Sequence, residues 1–264
     1  MWRTFRNAAL PYAPFSASQG RLLLTAQVGI ALALWLCAGS GVLPSPSELA
    51  KAWMGLVRHQ GLLFELWTSV KVLLQALLIA SVLTLAIATA ATAPIFDALA
   101  RFTSSLRFLG FAGLSYVFML LANDAGQLKL ALLVFGITVM MITAMLAEVR
   151  AIPAQAIEHC KTLGMRHWRI SYELVVLGKA AVFLDLVRQN AAVGWTLLAM
   201  VEGLTRSQGG IGALLLNQNR YFQLSGVFAI QLTILLYGLG QDYLLGRLRT
   251  TLCPYVTIEE GRVP

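Results

Sequence analysis

The sequence predicts an all-α, polytopic membrane protein with six transmembrane helices, and three observations carry that prediction. The composition is 58% hydrophobic and 12% charged, with a mean hydropathy of +0.73, whereas soluble domains carry about 25% charged residues. Long apolar runs recur along the chain, and at about 1.5 Å per residue most can cross a hydrocarbon core of about 30 Å. The cations are also unevenly shared between the two sets of loops. One side collects Arg3, Arg6, Arg21, Arg101, Arg107, Arg150, Lys161, Arg166, Arg169, Arg247 and Arg249, and the other Lys51, Arg58, Lys71, Lys129, Arg206 and Arg220. The richer side faces the cytoplasm, which puts both termini there. That bias, with membrane lipid as the partner, accounts for the net charge of +8 without any nucleic acid.

In chain order, residues 1–21 form a basic cytoplasmic segment with no convincing cleavage site after the first apolar run. Residues 22–249 form one six-span domain, and 250–264 a cytoplasmic tail. Leu22 to Leu43 is the first span and leads outward. Ser45 then reads as an N-cap, Pro46 as the first helical residue, and Glu48 as the other half of a capping box. The amphipathic helix that follows carries Leu49, Trp53, Leu56 and Val57, and belongs at the outer interface with Trp53 at headgroup depth. Val70 to Ala91 returns inward, and Asp97, Arg101 and Arg107 mark a cytoplasmic turn. Leu106 to Leu121 is a shorter third span, Asn123 to Gln127 a tight outer turn, and Leu128 to Ala147 the fourth span. Leu174 to Val201 is the fifth and Val227 to Leu245 the sixth, where Gly238 and Gly240 offer a close-packing face.

Between the fourth and fifth spans lies the largest polar block on the inner side, Ala151 to Gly178. Pro153 suits the first turn of a helix, and Gly164 suits its end, where a left-handed residue is needed. On the helix between them Ala156, Ile157, Cys160 and Leu163 share one apolar face, while Gln155, Glu158, His159 and Lys161 point elsewhere. Such a helix is suited either to docking in a partner's groove or to lying among headgroups.

The fifth span contains Lys179, Asp185, Arg188, Gln189 and Asn190. A charge at membrane depth costs about 2.5–3.5 kcal/mol, so these groups face protein or a water-filled path. Asp185 and Arg188, at i and i+3, are placed to neutralise each other. Alternatively Arg188, with Gln189 and Asn190, lines a translocation path and offers a cation and donors to an anionic solute. Beyond this span Gly209, Gly210 and Gly212 read as an outer gate, a re-entrant turn or an ordinary loop.

Glu158-His159-Cys160, then three residues and Gly164, followed by Val175-Val176-Leu177-Gly178, resembles the cytoplasmic E-A-A-x-x-x-G loop of binding-protein-dependent ABC importer permeases. His159 and Cys160 replace two alanines, and Gly178 a proline. The Leu43 to Leu49 stretch and Gly209-Gly210-Ile211-Gly212 are similar to stretches of that family, and Arg188, Val193-Gly194-Trp195 and Glu202-Gly203 are similar to its taurine and sulfonate branch; the chain as a whole resembles the permeases for nitrate, sulfonates, taurine and bicarbonate. Gly110 and Ala122 to Ala125 depart from its pattern.

The resemblance implies type I importer architecture in a bacterial cytoplasmic membrane, with residues 151–172 as the coupling loop. Its coupling helix, carrying Pro153, Glu158, His159, Cys160, Leu163 and Gly164, would seat in a cleft of the ATP-hydrolysing subunit. Arg188, Gln189, Asn190 and Glu202 would line the translocation path. The implied partners are two ATPase subunits, a second permease as a homodimer, and a periplasmic or lipid-anchored solute-binding protein. This chain itself would hold no cofactor, since ATP and Mg²⁺ belong to the ATPase.

Enzyme chemistry has little support. No phosphate loop of the form G-x-x-x-x-G-K-[ST] occurs, and His59, His159 and His167 lack metal-ligand spacing. Cys37, Cys160 and Cys253 lie far apart and are expected to be free thiols. An ATP-independent transporter would require internal repeats or matched broken helices, which the sequence does not display. A non-transporting membrane scaffold that binds an ATPase is the other alternative.

Overall fold

The computed structural model describes residues 17–37, 44–109, 111–205 and 209–254, and no strand occurs among them. The basic segment through residue 16, the outer end of the first expected span, Arg206 and residues 255–264 lie outside the described residues.

Among the described residues three helices are long and apolar enough to cross a membrane: α3 (Leu62–Ala90), α6 (Ala125–Arg150) and α11 (Leu224–Leu252). A fourth crossing arises if α4 (Pro94–Ser105), its 3₁₀ continuation over Leu106–Phe108, and α5 (Phe111–Leu121) act as one span; they are bent by 117°. The expected third span is therefore a short helix after a sharp bend, and the expected cytoplasmic turn is itself helix α4. Pro94 opens α4 at a position where its missing N–H costs nothing.

α1 covers Ala17–Cys37. α2, Pro46–His59, begins where the sequence places it: Glu48 N–H donates to Ser45 Oγ at 3.3 Å, and Ser45 N–H donates to the Glu48 carboxylate at 3.0 Å. α2 buries Leu56 and packs on α11, where Trp53 Nε1–H donates to Thr233 Oγ1 at 3.2 Å. Gly61, at φ +65°, links α2 to α3 in a conformation that costs other residues about 1–2 kcal/mol. Asp124 caps α6 by accepting the Gln127 N–H at 2.7 Å.

The core forms where α6 meets α3 and α9 (Ala180–Leu204). Leu133, Ile137 and Met141 of α6 pack with Leu73, Ala76 and Ala80 of α3 and with Ala191, Trp195 and Leu198 of α9. Small residues permit the close approach that lipid-embedded helices rely on. Gly194 is one of them, since a Cβ there would sit 2.7 Å from Leu73 Cδ1. The remaining helices are α7 (Ala154–Thr162), α8 (His167–Ser171) and α10 (Ile211–Arg220).

Candidate functional site

α7 starts immediately after Pro153 and ends in a Schellman motif. Gly164, at φ +74°, donates its N–H to Lys161 O at 2.9 Å, and Met165 donates to Cys160 O at 3.3 Å. The left-handed residue is thus where the sequence asks for it. Cys160 is buried and free, Ala156 and Ile157 are half-buried, and Gln155, Glu158, His159 and Lys161 are exposed. Leu163 departs from the expected apolar face. It is 60% exposed just before the turn.

Past α8 the chain forms a π turn over Tyr172–Leu177, closed by Gly178 N–H donating to Glu173 O at 2.8 Å. Gly178 explains itself here. Proline would lack that donor, and a Cβ would lie 2.8 Å from Leu174 O.

α9 then carries the charged side chains, which pair with other helices. Arg188 does not neutralise Asp185, as its i, i+3 spacing suggests. It makes a two-pronged pair with Asp242 of α11, at 2.5 and 2.7 Å, while Asp185 receives Arg249 at 3.0 Å. A third pair joins Lys179 to Glu148 of α6 at 2.9 Å. The pairing across helices follows from the fork of the guanidinium, which matches a carboxylate it can meet squarely better than one on its own helix flank. Arg188 and Asp242 stay open to the surroundings, with side-chain exposures of 39% and 44%. They border a groove of about 370 Å³ between α9 and α11, whose other polar members include Thr196, Gln231 and Gln241. Gln241 Oε1 accepts from Trp195 Nε1–H at 2.8 Å, and among the described residues its buried Nε2 has no partner. Of the other expected path residues, Gln189 is exposed and Asn190 is buried, donating to Leu186 O at 2.8 Å.

Glu202 lies elsewhere, fully buried at the other end of α9. It pairs with Lys129 of α6, and accepts Ser69 Oγ–H and Gly212 N–H, each at 2.7 Å. Ser69 Oγ in turn accepts the Ile211 N–H at 2.9 Å, and the Glu65 carboxylate accepts the Gly210 N–H. The first N–H groups of α10, which no helix can satisfy internally, are thus met by two carboxylates and a hydroxyl. A Cβ on Gly210 would run into the Glu202 carboxylate, and one on Gly212 would lie 2.6 Å from Ala199 Cα. The glycines serve a close backbone approach. Glu202 presents no surface to a path, because its charge is spent on this anchor.

Sequence reasoning missed Lys129, Ser69, Glu65 and Asp242. The signal available for Lys129 and Asp242 was a lone charge inside an apolar run, which demands a partner. No protein-family model and no curated protein matches the sequence.

Proposed function

We propose that the chain is the transmembrane permease subunit of an ATP-driven ABC importer of type I architecture, with six spans. In this reading it moves a small anionic solute into the cytoplasm from a solute-binding protein. The observation that carries the reading is α7: a nine-residue helix closed by left-handed Gly164, with Cys160 buried, Ala156 and Ile157 half-buried and its polar side chains exposed. A helix so held transmits a push. When ATP closes a pair of ATPase subunits, α7 moves with the cleft that seats it, and α9 and α11 tilt between two states of different solute affinity.

The α9–α11 groove supports the same reading. An ion pair about two-fifths exposed on the flank of membrane-depth helices is costly against lipid and stable beside water or a second subunit. A homodimer would enclose the two grooves between its copies. An anionic solute would then displace Asp242 from Arg188, and release would restore the pair.

The deciding experiment is affinity purification of the tagged chain from native membranes in mild detergent, followed by mass spectrometry. Co-purification of an ATPase carrying a phosphate loop, lost when residues 158–164 are replaced by alanine, is the expected result. Recovery without any ATPase would remove the importer reading.

A further inference from the structure

A groove of about 330 Å³ lies between α7, α8 and the ends of α3 and α6. Its wall is apolar, built from Val149, Ile152, Ile157, Ile170, Leu174 and Val175, and its polar members are Thr92, Lys161, His167 and Ser171. That volume is at the lower end of the range for small-molecule sites, about 300–1,000 Å³. Its place matters as much as its size. Thr92 follows the last turn of α3 and Ile152 the last turn of α6, so the groove opens where two membrane-crossing helices leave the hydrocarbon. Trp168 and Tyr172 flank it, 60% and 51% exposed, in the manner of interfacial aromatics.

The charges around it do not cancel. Glu173 is engaged by Arg169, Glu148 by Lys179, and Asp97 by Arg101 and Arg150. Lys161, Arg166 and Glu158 are exposed and have no ion-pair partner among the described residues, so two cations stand against one carboxylate. An apolar slot with cations in excess at headgroup level is complementary to a molecule with an acyl chain and a negative head.

We propose that this groove binds an anionic phospholipid, its phosphate at Lys161 and His167 and the upper part of one acyl chain along Ile157, Ile170 and Leu174. The site requires only that α3 and α6 be embedded, and stands apart from the importer reading. The bound lipid fills the space behind α7 and props the helix away from the bundle.

The test uses the full chain in nanodiscs of dioleoylphosphatidylcholine, titrated with dioleoylphosphatidylglycerol and read by native mass spectrometry of retained lipid. Wild type retains phosphatidylglycerol in preference to phosphatidylcholine. One cation near an anionic surface is worth about fivefold in affinity, so Lys161→Ala lowers retention about fivefold, Lys161→Glu lowers it further, and Lys161→Arg preserves it. Lys51→Ala, on exposed α2, leaves retention unchanged. Equal retention of the two lipids, no loss in Lys161→Glu, or an equal loss in Lys51→Ala would each overturn the proposal. So would occupancy by inorganic phosphate with no lipid retained.

Discussion

The two ends of α9 handle charge in opposite ways. At the Glu202 end, an acid and a lysine with 0% and 3% side-chain exposure are locked by a hydroxyl and the backbone of α10. Toward the Lys179 end, three ion pairs remain 20–44% exposed and bridge α9 to α6 and α11 with few further bonds. A buried pair held by further hydrogen bonds is hard to open, because separating it strands a charge in a low-dielectric interior. A half-exposed pair exchanges partners at small cost. The first arrangement fixes a loop, and the second is able to change partners during a working cycle.

The sharpest break of this contrast is Lys129→Met, which leaves Glu202 buried and unpaired. Losing one partner of such a pair costs about 3–5 kcal/mol, enough to abolish a folded, monodisperse product in detergent-solubilised size exclusion. Lys129→Met with Glu202→Gln recovers part of that loss. If the single variant melts like wild type, the Glu202–Lys129 network does not hold the fold.

Arg188→Ala should cost much less stability, about 1 kcal/mol or less for a half-exposed pair; under the importer proposal it also lowers solute uptake in proteoliposomes that contain the proposed partner subunits. In a double-mutant cycle, coupling of Arg188→Ala is expected with Asp242→Ala and little with Asp185→Ala. Equal coupling to both would mean that the pairing shown here is not the one in the membrane.

The smallest stability effect belongs to Gly164→Leu. Forcing a side chain into the left-handed conformation costs about 1–2 kcal/mol, but α7 is exposed and can fray without unfolding the bundle. The thermal midpoint should therefore barely move, while under the importer proposal uptake per ATP hydrolysed falls. Unchanged coupling would remove α7 from the transmission path.

What was legible in the sequence was whatever is decided within a few residues. The Ser45–Glu48 capping box, the Asp124 turn and the left-handed Gly164 are local arrangements, and each occurs as its neighbours dictate. Apolar run length likewise anticipates α3, α6 and α11. Pairing between distant positions was not legible. Arg188 and Asp242 are 54 residues apart, and helix spacing favours Asp185, which is near in sequence but meets Arg249 instead. The charges Asp97, Arg101 and Arg107 suggest a turn, but Pro94 opens a helix there. Gly209, Gly210 and Gly212 suit a gate, a re-entrant turn or a loop alike, and what decides among them is distant in sequence, since these glycines let Glu202 and Ala199 close on the backbone at the start of α10.

The π turn over Tyr172–Leu177 sets an angle. A bond from residue i to i+5 encloses one residue more than an α-helical turn, and one residue corresponds to about 100° of rotation about a helix axis. The turn therefore fixes the azimuth at which α7 and α8 are offered relative to α9. Deleting one residue there would swing Trp168 and Glu158 by about 100°, little more than a quarter of a revolution, while leaving every span intact, so the direction in which α7 and α8 point is encoded separately from the packing of the core.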